Sequence, residues 1–293
     1  MSQATRPATG RLEPRLLEVR AGELTLRGEE LGEGPPIALL HGLTATRRYV
    51  VHGSKALPRA GYRTVSYDAR GHGESDPAPP GTGYSYPDLA RDAEALVDAV
   101  AGQGRVVLAG HSMGAHTAAA YALQNPDRVA GLVAVGPAAR GVPTTEETLA
   151  YWDSLAAGLE RGGVDGFIAV YEQDLNPEWR DTLLRITRQR LELHRRPEAV
   201  ARALREVPRS VPFDGLGELE FLDVPALVVA SHDEVDPGHP RAIAQEWAER
   251  LPQGRLISEA PGESPLAWQG GRLSREIAAF CVQPDVAERL RAS

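Results

Sequence analysis

Short apolar runs and amphipathic stretches alternate along most of this chain. Residues 15–31 (RLLEVRAGELTLRGEEL) alternate apolar and polar side chains, the period-two pattern of an opening antiparallel hairpin. PPIALLHG then holds an uninterrupted apolar run at 37–40, too short for a helix and suited to a strand covered on both faces. A helix is expected near 50–60, followed by a strand at 63–68 (RTVSYD). Helical spacing returns in YPDLARDAEALVDAVAG, then a buried strand in RVVLAG (105–110), an Ala-rich helix in GAHTAAAYALQN and a strand in RVAGLVAVG.

From about Gly141 to Asp223 buried strands disappear and the segments become charged and amphipathic, as in RDTLLRITRQRLELHRR and PEAVARALREV. Strand and helix then alternate again through PALVVAS, PRAIAQEWAERLP, RLISEA and GRLSREIAAFCV. Alternation of this kind predicts an α/β fold with a mostly parallel sheet, right-handed crossovers and helices on both faces. The division expected is a core from residues 1–140 and 224–293, with a helical insertion at 141–223. Sites in such sheets form at the carboxyl ends of the strands.

The strongest chemical signal is GHSMG at 110–114, a G-x-S-x-G pattern set directly between a buried strand and a helix. A turn that sharp forces the central residue into strained backbone, and glycines on either side allow neighbouring chain to approach. Ser112 would then stand at a helix N-terminus, where backbone N–H groups face developing negative charge. With LLHGLTAT and YDARGHGES beside it, the chain resembles the α/β-hydrolase superfamily over nearly its whole length, with 141–223 as a helical cap. The resemblance implies an eight-stranded sheet, Ser112 as nucleophile, and the Leu43 and Met113 N–H groups as oxyanion donors. His41, His72 and His111 fall in these motifs as residues that shape loops.

In that superfamily the order is nucleophile, acid after the seventh strand and histidine after the eighth. The acid loop is SHDEVDPGHP, where Asp236 fits best, with Glu234 second and Asp233 third; capping of the following helix is an alternative use of any of them. At the histidine position the chain has Glu263, and no histidine follows His239. An ordinary glutamate, near pKa 4.3, is a weak base, whereas serine needs a proton acceptor suited to neutral pH. Three readings stand open: His239 supplies the base, with His232 and His116 as weaker candidates; Glu263, raised in pKa by burial and a like charge near Asp236, does the acid–base work, including lyase, cyclase or isomerase chemistry; or the site binds a small molecule without turnover.

Aromatic residues of the insertion, Tyr151, Trp152, Phe167, Tyr171 and Trp179, line either the cap's own core or the substrate space, Trp152 being the substrate candidate there. Trp268, in the loop of Glu263, is placed near the pocket.

Composition narrows the rest. With 32 Lys and Arg against 40 Asp and Glu, the net charge is −8, and no block of like charge suggests nucleic acid or a membrane surface. No phosphate-binding glycine loop implies a nucleotide cofactor, no Cys/His cluster a metal, and the lone Cys281 is expected to be a core thiol. Without a signal-like start or a long apolar run, a cytoplasmic enzyme acting on a small-molecule substrate is expected.

Overall fold

The computed structural model describes residues 12–232, 238–260, 263, 268 and 270–291. The opening hairpin forms as β1 (Arg15–Ala21) and β2 (Leu24–Leu31), followed by β3 (Pro36–Leu40), α1 (Ala56–Arg59), β4 (Arg63–Tyr67) and α2 (Tyr86–Ala101). The elbow joins β5 (Val106–His111) to α3 (Met113–Gln124), and β6 (Val129–Val135) leads into the insertion. The insertion contains α4 (Glu146–Tyr171), α5 (Arg180–Leu191) and α6 (Pro197–Glu206). The chain then returns to the sheet with β7 (Ala226–Ala230), α7 (Arg241–Arg250), β8 (Gly254–Ser258), α8 (Gly271–Cys281) and α9 (Pro284–Arg291).

The sheet has eight strands in the order β1-β2-β4-β3-β5-β6-β7-β8. Only the β1–β2 and β2–β4 pairs are antiparallel; the other five are parallel. The central strands are buried on both faces because successive side chains point to opposite sides. Ala38, Leu40, Val106, Leu108, Leu132 and Ala134 enter the core beneath α2, α3 and α7. Ile37, Leu39, Val107, Ala109, Val133 and Val135 enter the opposite core with Leu273, Ile277, Phe280 and Cys281 of α8. Burial pushes the Cys281 thiol up to about 12, as befits an inert core residue.

Two departures from the sequence pattern have local causes. The helix expected near 50–60 is a single turn, since His52 and Gly53 take left-handed backbone (φ 47° and 72°) and stop a helix from starting earlier. The final helix, α9, was not anticipated; Val286 and Leu290, four residues apart, bury its one apolar face.

The insertion has its own apolar cluster, built on Leu155, Leu159, Phe167, Leu191, Val200 and Leu204. Helix α4 bends at Gly163 (φ 59°), so that its two arms meet at Gly158 and Gly166. A Cβ on Gly158 would come 2.4 Å from the Gly166 carbonyl oxygen, a contact that only glycine permits. Leu43 packs against both this cluster and the sheet core, so the insertion sits over the loop that follows β3.

Candidate active site

Ser112 occupies the turn between β5 and α3 with φ 52° and ψ −116°, a left-handed geometry rare outside glycine. The surroundings hold it there: the Ser112 N–H donates to the Val135 carbonyl at 2.9 Å, and its own carbonyl accepts from His116 N–H at 3.0 Å. The flanking glycines are required by space. A Cβ on Gly110 would lie 2.2 Å from the Gly114 carbonyl, and one on Gly114 would lie 2.1 Å from the Leu40 oxygen. Backbone strain of this order costs about 1–3 kcal/mol and persists where neighbouring structure enforces it.

The loop after β3 meets this turn. A Cβ on Gly42 would stand 3.4 Å from the Ser112 Cβ, so Leu43 follows a residue in contact with the serine. Among the described residues neither the Leu43 nor the Met113 N–H is spent on an acceptor, and the Ser112 hydroxyl has no hydrogen-bond partner.

The family model for the alpha/beta hydrolase fold matches residues 35–264. The chain belongs to the alpha/beta hydrolase fold family. A 2-(acetamidomethylene)succinate hydrolase of Mesorhizobium japonicum is 36% identical over 117 residues, which cover 40% of this chain and 41% of that relative. The chain thus spans less than half the length of that curated relative. A thermophilic esterase from Thermogutta terrifontis shares the fold with a TM-score of 0.73 and 24% identity, covering 95% of this chain and 98% of its own. An enol-lactonase from Burkholderia xenovorans does so with a TM-score of 0.71 and 22% identity, covering 92% and 100% respectively.

Within this alpha/beta hydrolase, the histidines divide by what their ring nitrogens already do. His116 Nε2 accepts from Ala138 and Ala139 N–H at 2.9 and 3.1 Å, which leaves Nδ1–H to donate to the Tyr86 hydroxyl at 2.8 Å. Burial holds its pKa at about 3, so His116 is committed to structure and is no base for Ser112. His41 Nε2 accepts from Ala69 N–H at 2.9 Å, and its Nδ1–H donates to the Gly42 carbonyl at 2.8 Å. His72 Nδ1–H donates to Arg70 O at 2.9 Å, with burial holding that ring near pKa 4. His232 meets the second strand-end loop through its backbone, its N–H donating to the Glu259 carboxylate at 2.7 Å.

His239 is brought to the elbow. Its ring lies 5.1 Å, centroid to centroid, from that of His111, the residue before Ser112. Its side chain also covers Gly136, where a Cβ would come within 3.2 Å of the His239 ring. Asp233, Glu234 and Asp236 lie outside the described residues.

Glu263 and Trp268 correct the sequence-based picture. Among the described residues the Glu263 carboxylate is paired with a cation: it accepts from the Arg272 guanidinium at 2.7 Å and from Ala260 N–H at 2.8 Å. Its side chain is 39% exposed, and these hydrogen bonds, Arg272 foremost, hold its pKa below the usual carboxylate value instead of raising it. Trp268, expected at the pocket, is a core residue at 8% exposure. Its indole N–H is shared between the Ala230 carbonyl at 2.9 Å and the Glu259 carboxylate at 2.8 Å, with the Arg272 guanidinium stacked 4.6 Å above the ring. Buried indoles need such an acceptor, and here β7 and the residue after β8 provide two. Trp152 packs with Tyr151 against the insertion's own cluster.

Glu259 is the residue that sequence reasoning missed in this region. It is 3% exposed and ties His232 to Trp268, joining the loops after β7 and β8. Nothing in RLISEA marks its glutamate as buried, because its partners come from the loop after β7 and from further along its own loop.

Proposed function

We propose that this chain hydrolyses a small carboxylic ester, thioester or lactone, with Ser112 as nucleophile and the Leu43 and Met113 N–H groups as oxyanion donors. The observation that carries the reading is the backbone of Ser112: a non-glycine residue held at φ 52°, with its hydroxyl and the amides of the two residues that would flank an oxyanion unspent among the described residues. Attack by the serine oxygen on the carbonyl carbon moves charge onto the carbonyl oxygen, and preorganised N–H donors lower that barrier. Collapse expels the alcohol or thiol and leaves an acyl-enzyme, which water then hydrolyses.

The proton acceptor is assigned to His239. It stands against His111 next to the nucleophile, whereas His41 and His116 have both ring nitrogens engaged by backbone or Tyr86. Asp236, with Glu234 as the alternative, is assigned as the carboxylate that orients the imidazole. Glu263 is assigned to its loop through Arg272, since acid–base work near neutrality needs a raised carboxyl pKa and Arg272 lowers it. Residues 141–223 are assigned as a cap that excludes water and selects the acyl group, supported by the contact of Leu43 with the insertion's apolar cluster. The named hydrolase relative and the esterase and enol-lactonase neighbours support the substrate class.

A fluorophosphonate probe with intact-mass readout, beside p-nitrophenyl acetate turnover, tests the reading. One adduct on the chain and none on Ser112→Ala is expected, with turnover in that variant reduced by about 10⁵ to 10⁶. A chain that binds small ligands but takes no label and does not turn over the ester would refute it in favour of a non-catalytic binding site, and turnover untouched by Ser112→Ala would refute the serine as nucleophile.

A further inference from the structure

One side chain of the insertion reaches into the sheet's loops at the candidate oxyanion turn. His194, between α5 and α6, is 9% exposed, and its Nδ1 accepts from Gly73 N–H at 2.8 Å. That bond puts the ring proton on Nε2, which therefore donates to the Thr44 carbonyl at 3.0 Å. The ring stays neutral, since burial foremost, with His72 beside it, holds its pKa at about 3.

Thr44 is the reason this contact matters. Gly42 to Ala45 form a tight turn closed by Ala45 N–H to Gly42 O at 3.0 Å, with Leu43 and Thr44 at its centre. Thr44 takes φ 66°, the left-handed geometry that such turns normally give to glycine and that a β-branched residue resists. Relaxation of Thr44 would rotate the peptide units on either side of Thr44 and so shift the turn that presents the Leu43 N–H. The closing bond of the turn and the His194 bond both oppose that relaxation.

The neighbouring chain seats His194 firmly. Arg195 N–H donates to Gly73 O at 3.0 Å, and the Arg196 guanidinium donates to Ser75 O at 3.3 Å. Arg195 also pairs with Glu74, which is held in turn by Arg47 at 2.8 Å. Gly73 must be glycine, because a Cβ there would lie 2.3 Å from the Asp68 carboxylate.

We propose that His194 is a positioning residue for the oxyanion donor Leu43: its Nε2–H bond to the Thr44 carbonyl holds the Gly42–Ala45 turn so that the Leu43 N–H stays free beside Ser112. The proposal rests on the Ser112 and Leu43 assignment made above. It makes the insertion, through one ring, a part of the turn's geometry as well as a cover over it.

The two ring bonds can be separated by substitution. His194→Gln puts an amide N–H near the position of Nε2 and keeps the donor to Thr44, while His194→Asn keeps only the acceptor to Gly73. With p-nitrophenyl acetate, His194→Asn is expected to lower kcat about 10- to 100-fold with KM changed less than about threefold, and His194→Gln to recover kcat to within about threefold of the unsubstituted chain. Hydrogen exchange of the segment 41–48 is expected to speed up in His194→Asn and not in His194→Gln. A role in packing alone would lower thermal stability in both variants and leave their kcat values equal, which would overturn the proposal.

If His194→Asn does not fold, His194→Gln decides: a folded His194→Gln that loses more than about tenfold in kcat sinks the idea. If turnover proves independent of Ser112, the functional assignment has failed instead, and exchange at 41–48 still decides whether His194 holds the turn. Equal exchange in the two variants would overturn that as well.

Discussion

Replacing Trp268 by Phe separates a core residue from a pocket residue. The substitution keeps an aromatic ring in a site that is 8% exposed, but removes the N–H that is 2.9 Å from Ala230 O and 2.8 Å from the Glu259 carboxylate. Loss of a hydrogen bond to a charged acceptor costs about 1.5–3 kcal/mol, and the acceptor in question stays buried with one fewer donor. At roughly 2–4 °C per kcal/mol for a domain of this size, the thermal midpoint should fall by about 3–12 °C. Scanning calorimetry or urea unfolding measures this, and ester turnover measured well below the new midpoint should be almost unchanged. A double-mutant cycle with Glu259→Gln should show non-additivity, because both changes break the same contact. Unchanged stability together with a reduced kcat/KM would refute the reasoning and return Trp268 to the substrate pocket.

Glu263→Gln should keep kcat within about threefold and leave the pH–rate profile without a changed limb near neutrality. The carboxylate has a lowered pKa, so it is ionised above 4.5 and its contribution is lost only as pH falls through the still lower folded value. Loss of a limb between pH 6 and 7 in that variant would reinstate Glu263 as the acid–base group. Acid should also weaken the fold through its buried histidines. His72, His116 and His194 are pulled by burial from 6.5 to about 4, 3 and 3 respectively. The unfolded chain takes up protons on these rings below pH 6.5 while the folded chain does not, so stability falls with pH, by about 1.4 kcal/mol per ring at pH 5.5. Urea midpoints that coincide at pH 7.5 and 5.5 would contradict this.

The elbow was legible because its causes are adjacent in the chain. Gly110, Ser112 and Gly114 are demanded by one turn, and the strand before and the helix after carry their own periodicities. The eight strands were legible for the same reason, since alternate residues such as Leu39 and Leu40 must find separate cores. The proton-transfer site was not. A loop pattern put Glu263 at the position of a histidine, but the charge that sets its pKa is Arg272 on α8, and no spacing rule announces that pair. His194 was invisible for a similar reason: its two bonds reach residues 121 and 150 positions away.

By itself, the sequence determined the order of the strands and of the helices up to α8, the helical segments between β6 and β7, and the strained serine at the end of β5. These follow from local steric limits and from the need of each apolar face to be covered. Only the tertiary structure decided which polar groups are already spent. It turned Trp268 into a core link, gave Glu263 a cation, committed His116 to Tyr86 and two backbone amides, and brought His239 against His111. Hydrogen bonding and pKa depend on burial and on distances through space, and those arise only when remote loops meet.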